Sequence, residues 1–174
     1  SAELSFLRSS LIPESPVFDN SNVLSWFGEL RDSNGLRVRP IRFDEMDRWG
    51  FEPSTGNLVH DSGRFFRIEG LRVETNFGDD HHWDQPIINQ PEIGILGILA
   101  KRFGGILHFL MQAKAEPGNC NALQLSPTVQ ATRSNYSQVH GGRVPDYLEH
   151  FTAAPLERRL VDQLQTEQGS RVLK

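Results

Sequence analysis

The chain has 174 residues, of which 37% are hydrophobic and 23% charged, and its formal net charge is −4. At this length roughly 70% of the unfolded surface can be buried, so a core needs neither disulfides nor a structural metal. The acidic balance argues against a nucleic-acid partner, and the longest apolar stretch, residues 93–100, is broken by Gly94 and Gly97 and too short to span a bilayer.

Cys120 is the only cysteine, so no internal disulfide is possible and a reducing cytoplasm is the expected location. No basic segment followed by an apolar run opens the sequence, so it does not read as a secretory signal.

Residues 9–22 carry Pro13, Pro16 and several Ser and Asn, the composition of a loop or arm. Val23, Trp26, Phe27 and Leu30 then fall at helical spacing, which predicts a helix over 23–31 capped by Ser21 or Asn22. Asp32-Ser33-Asn34-Gly35 has the chemistry of a turn that ends it. A further short helix is predicted over 44–49, and a turn over 53–56. The first 48 residues are thus expected to form an N-terminal arm with helices, and 49–174 the main domain.

Strands dominate from residue 57. The segment 64–75 is rich in Phe, Ile, Leu and Val, with a bulge or bend predicted at Gly70. Residues 78–82 read as a loop and 83–88 as a strand, in which Pro86 favours an edge position. Gly104-Gly105 is a tight-hairpin signal between 93–103 and 106–116. Pro117-Gly118-Asn119 makes a second turn, and 122–130 a third strand, giving an antiparallel meander. Pro145 then suits a helix start, with Tyr147, Leu148 and Phe151 on one face. A second helix is predicted after Pro155 from Leu156, Leu160, Val161 and Leu164, stopping at Gly169. The expected fold class is α+β, a mixed or antiparallel sheet flanked by helices.

Alternation along a strand sends Leu107, Phe109, Met111, Ala113 and Ala115 to one face and His108, Leu110, Gln112, Lys114 and Glu116 to the other. In the third strand Gln124, Ser126, Thr128 and Gln130 form the polar set and Leu123, Leu125 and Val129 the apolar set. A solvated sheet face usually carries many Lys and Glu. This one is rich in amides and hydroxyls, which suits a ligand with hydroxyls and ring carbonyls. The loop beyond it holds Arg133, Ser134, Asn135, Tyr136, His140 and Arg143, and arginine beside hydroxyls and glycines is phosphate-binding chemistry. Dinucleotide-binding, phosphate-loop, HExxH and CxxC signatures are all absent. Asp79, Asp80, His81, His82 and Asp84 gather metal-donor types, but spacing alone does not create a site, and the run reads as a solvated loop.

Three long runs resemble the NDP-hexose 2,3-dehydratases of deoxysugar biosynthesis: residues 55–66, residues 85–94, and residues 108–136 interrupted near Cys120. The resemblance is strongest in Leu123-Gln124-Leu125-Ser126-Pro127-Thr128-Val129-Gln130-Ala131-Thr132-Arg133-Ser134-Asn135-Tyr136 and covers about residues 49–170. It implies a Nudix-like fold, with this chain similar to the first of two tandem copies. The glutamate-rich Nudix signature is missing, and Arg171 stands where the family tends to have an aromatic residue.

The implied reaction removes the C3 proton and the C2 hydroxyl of a dTDP-4-keto-6-deoxyhexose, with no cofactor and no metal site. Candidate roles are Glu116 or His140 as base, Tyr136 or His108 as acid, and Lys114 at the C4 oxygen. Arg133 and Arg143 would hold the pyrophosphate. Gln85, Gln112, Asn119, Gln124, Ser126, Thr128, Gln130, Ser134 and Asn135 complete the expected substrate contacts. The implied partners are a dTDP-sugar, a second copy in a homodimer and a coupled 3-ketoreductase. The alternatives are a non-catalytic sugar-nucleotide-binding module and a Nudix-type sugar-nucleotide hydrolase.

Overall fold

A computed structural model describes residues 2–79, 81–137, 143–166 and 168–173. In chain order it has helices α1 (Ala2–Ser10) and α2 (Asn20–Ser33), a 3-10 turn (Phe43–Glu45), and strands β1 (Trp49–Phe51), β2 (Leu58–His60), β3 (Arg67–Glu74) and β4 (His82–Asn89). Six short strands follow: β5 (Ile95–Gly97), β6 (Leu99–Phe103), β7 (Ile106–Leu110), β8 (Gln112–Ala115), β9 (Leu123–Ser126) and β10 (Val129–Ala131). Helices α3 (Arg133–Tyr136) and α4 (Glu149–Thr152), a 3-10 turn (Leu156–Arg158) and strand β11 (Val172–Leu173) complete the described elements. The fold is α+β, and its sheet contains both antiparallel and parallel pairs.

These elements gather into two compact units that interleave along the chain. The first takes the residues up to Arg39 together with Gly94–Ala131 and Arg143–Asp162. The second takes Pro40–Ile93, the segment beginning at Thr132, and the tail from Gln163.

In the first unit, α1 precedes the predicted loop and takes in only its first two residues, Ser9 and Ser10. Its serines compete with helical hydrogen bonding, and the hydroxyls of Ser9 and Ser10 turn back onto the carbonyls of Ser5 and Leu7, each at 2.8 Å. A nine-residue helix is marginal by itself. Strand β7 holds this one: Phe6 stacks on Phe109 with centroids 6.2 Å apart, and Ser9 Oγ accepts from Leu107 N at 2.8 Å. Helix α2 begins three residues before the predicted start, because its cap is Asp19 and neither Ser21 nor Asn22. The Asp19 carboxylate accepts from the backbone N–H of Ser21 at 2.8 Å and from its hydroxyl at 2.6 Å. The helix ends at Ser33, inside the predicted turn.

The predicted meander is present but bent, and this resets its faces. Each of its three long segments breaks once, at Ile98, Met111 and Pro127, and changes partner there. Strand β6 pairs with β7, β8 with β9, and β10 with β5, all antiparallel. Each segment therefore pairs with both of the others. Gly104 and Gly105 close the β6–β7 hairpin with φ of 57° and 78°, as a two-residue turn with both central residues left-handed requires. Because the breaks interrupt alternation, the expected uniform polar face does not exist. Ser126 and Thr128 are buried with Val129, Leu123 and Ala131, while Leu125 is 51% exposed. Gly97 lies against the Phe151 ring, where a Cβ would come within 2.2 Å of a ring carbon, so this strand glycine marks a close approach.

The C-terminal helices are also corrected. Tyr147 takes a positive φ of 67°, which interrupts the first, and α4 is a single turn that follows the buried Leu148. Among the described residues of the predicted second helix only the 3-10 turn forms, and Leu164 is 78% exposed. A short amphipathic segment gains its helical stability from packing, and among the described residues this apolar stripe is not buried.

The second unit is a five-stranded sheet in the order β1-β2-β3-β4-β11, built around Leu58 and Ile87. The helix predicted over 44–49 is limited to its 3-10 turn, because Arg48 at φ 63° redirects the chain and Trp49 starts β1. No bulge occurs at Gly70. Strands β3 and β4 pair residue for residue from Arg67↔Asn89 to Glu74↔His82, with Gly70 opposite Pro86, so no residue is left over for a bulge to hold. Strand β11 pairs in parallel only with Ile88 and Asn89, so Pro86, which has no N–H, lies beyond that ladder.

Candidate functional site

The six central strands of the first unit position most of the expected site residues. The β8–β9 hairpin brings Lys114 directly opposite Gln124. Lys114 Nζ lies 2.7 Å from Glu116 Oε1, so a cation, a carboxylate and an amide share one hairpin end. Asn119 organises the turn that holds them. Its side-chain amide donates to the carbonyls of Lys114 and Ala122, each at 3.3 Å, and its N–H donates to Glu116 O at 3.1 Å. Gln124 is exposed, and its side chain has no hydrogen-bond partner among the described residues. This hairpin end can pair acid–base groups with a hydrogen-bonding amide.

Other expected contacts are committed to the fold. The Thr128 hydroxyl donates to Leu110 O and accepts from Leu99 N at 2.9 Å, tying together the three segments where they change partners. Gln112 donates to Pro127 O at 2.9 Å, and the Ser126 hydroxyl donates to Gln130 Oε1 at 2.7 Å. The Thr128 and Gln112 bonds satisfy backbone groups that the strand breaks would otherwise leave open, and the Ser126 bond ties two side chains together.

His108 sits half-buried between Phe18 and Phe103. Its Nδ1 is 3.1 Å from the Ile106 carbonyl, which only accepts, so Nδ1 carries a proton. Its Nε2 is 2.7 Å from Ser15 Oγ, and that oxygen also accepts from the N–H groups of Val17 and Phe18. The histidine therefore fastens the 15–18 loop to β7.

The second unit carries the arginine loop. Thr132 precedes α3, and the Ser134 N–H donates to Glu92 Oε2 at 2.9 Å while its hydroxyl lies 3.1 Å from Thr132 Oγ1. Ser134 is buried. The side chains of Arg133, Asn135 and Tyr136 have no hydrogen bond or ion pair among the described residues, so their donors remain open to a ligand. Gln85 is engaged twice: it donates to Ser170 O at 2.6 Å and accepts from Trp83 Nε1 at 2.7 Å. Arg143, in the first unit, pairs with Asp146 at 2.6 Å. His140 lies outside the described residues.

Sequence reasoning passes over Glu92, although it lies in one of the matching runs, because a lone carboxylate forty-two residues from the N–H that donates to it has no local signature. It also passed over the aromatic cluster of Trp49, His60, Phe65 and Phe66, in which His60 and Phe65 have centroids 4.5 Å apart. No group of three potential metal ligands occurs among the described residues, and none of the described helices is long and apolar enough to cross a membrane.

Residues 20–174 match the family model described as NDP-hexose 2,3-dehydratase. The chain belongs to this family. It is 52% identical over 165 residues to the dTDP-4-dehydro-6-deoxy-alpha-D-glucopyranose 2,3-dehydratase of Saccharopolyspora spinosa, covering 95% of this chain and 34% of that protein. It is 57% identical over 154 residues to the protein of the same name from Amycolatopsis orientalis, covering 86% and 33%. A third protein of that name, from Streptomyces violaceoruber, is 47% identical over 155 residues, covering 88% and 35%. The chain spans about one third of the length of these dehydratases. The family match includes both the Lys114–Glu116 hairpin end and the Arg133–Tyr136 helix.

Proposed function

We propose that this chain acts in the 2,3-dehydration of a dTDP-4-keto-6-deoxyhexose. The observation that carries the reading is its 47–57% identity, over most of its own length, to three proteins named as such dehydratases. The C4 ketone acidifies the C3 proton. A base removes it, the enolate expels the C2 hydroxyl, and an acid supplies the proton with which that hydroxyl leaves as water. The C3 enol that remains takes up a proton at C2 to give the 2-deoxy-3,4-diketo sugar.

Glu116 is the base in this reading, with His140 as the alternative, and Lys114 beside it steadies the negative C4 oxygen. Tyr136 is favoured over His108 as the acid, because both ring nitrogens of His108 already have partners in the fold. Arg133, whose guanidinium has no partner among the described residues, and Arg143 hold the pyrophosphate. Gln124 and Asn135 offer the open amides for the sugar or the base.

Incubation with the 4-keto substrate and a 3-ketoreductase, which captures the unstable product, tests this reading. Glu116→Gln should lower turnover about 100-fold or more, the range of general-base catalysis. Turnover unchanged in both Glu116→Gln and His140→Asn would remove both base assignments.

The same reading includes a homodimer, supported by the exposed Leu156, Val161 and Leu164. Sedimentation should show a dimer. A monomer at every concentration would count against it.

A further inference from the structure

We propose that the cleft between α1 and the tip of the β6–β7 hairpin binds a phosphate-class anion. The cleft lies within the first unit and is lined by Leu4, Ser5, Arg8, Arg102 and Gly105. Arg102 Nη2 donates to Ser5 Oγ, which fixes that guanidinium on the cleft wall and leaves its remaining N–H donors unused. Arg8 Nη1 lies 3.4 Å from the position a Cβ on Gly105 would occupy. Gly105 supplies the φ of 78° that the turn requires, and the Arg8 guanidinium rests in contact with it.

Charge balance separates this pair from the arginines that are neutralised by a neighbour. Arg42, Arg48, Arg72, Arg143 and Arg159 each hold a carboxylate. Neither Arg8 nor Arg102 has a carboxylate partner among the described residues. Two guanidinium groups on one cleft repel each other, in a chain whose net charge is −4, and an anion between them converts that repulsion into attraction. Their planar donor forks suit phosphate oxygens. The geometry is held in place independently of any ligand, by Phe6 on Phe109 and by Ser9 on Leu107 N.

The anion has two possible sources, free inorganic phosphate compounds or the diphosphate of a nucleotide. Amide NMR of the full chain titrated with inorganic pyrophosphate, and separately with dTDP, distinguishes them. Pyrophosphate should shift the Ser5 and Gly105 signals saturably, and Arg8→Gln should weaken that binding about tenfold or more. Equal or tighter effects of dTDP on the same signals would assign a nucleotide ligand. A response to pyrophosphate alone would assign a free phosphate compound. The cleft assignment is overturned if neither anion moves these signals, or if Arg8→Gln binds as tightly as the unaltered chain. Arg8 is exposed and makes no side-chain hydrogen bond or ion pair among the described residues, and the titration of the unaltered chain is decisive without the variant. Neither arm depends on dehydratase activity.

Discussion

Replacing Thr128 with valine keeps the shape of the side chain and deletes the hydroxyl that joins Leu110 O to Leu99 N. Thr128 is 7% exposed, so water cannot readily replace it, and a buried polar group left without its partner costs about 1–3 kcal/mol. Thr128→Val should therefore destabilise the protein by about 2–3 kcal/mol, read as a fall of about 5–10 °C in Tm. An unchanged Tm would show that the junction does not need the bridge. This residue also shows why the candidate site was only partly legible. Amino-acid type announces a hydrogen-bonding group, but not whether a ligand or the chain's own backbone will use it. Among the described residues Gln112 and Thr128 bond backbone groups of the broken strands and Ser126 bonds the Gln130 side chain, whereas Gln124, Arg133, Asn135 and Tyr136 keep their side-chain groups open.

Among the elements, those with a strong local cause were read correctly. The Gly104-Gly105 hairpin follows from two residues that tolerate positive φ, and α2 follows from apolar spacing with a turn at its end. Elements whose cause lies elsewhere in the chain were not visible. Helix α1 exists because β7 receives it, and the segment after Pro155 fails to become a helix because no surface covers its apolar stripe. Strand breaks at Ile98, Met111 and Pro127 carry only one obvious local mark, the proline.

The cap of α2 leads to a pH prediction. The Asp19 carboxyl is held below its ordinary value, first by the Ser21 hydroxyl and then by the Ser21 backbone N–H. A carboxyl depressed in the folded state contributes stability above its unfolded value near 3.8, and that contribution is lost as pH falls through the folded value. Circular dichroism should show helix content falling on acidification below about pH 4, with a smaller acid-dependent loss in Asp19→Asn. Identical acid profiles for the two proteins would contradict the cap.

For the whole molecule, the α+β class was legible because alternating and helical spacings occupy different stretches of the chain. The division into two units was not. Each unit draws on segments far apart in sequence, and no composition shift marks their boundaries. The family was readable for a different reason: runs such as residues 123–136 are long enough to be specific, and they span strands, a junction and a helix whose roles differ. The same runs hold open groups on α3 and a cation–carboxylate pair on the β8–β9 hairpin. In the proposed reaction such groups remove a C3 proton and a C2 hydroxyl from a 4-keto sugar nucleotide. The most direct measurement is NMR of the reaction of the chain with dTDP-4-keto-6-deoxyglucose in deuterium oxide. The expected result is loss of the C2 hydroxyl with one solvent deuterium at C2, delivered when the enol relaxes. Recovery of the substrate with its C2 hydroxyl intact would contradict it.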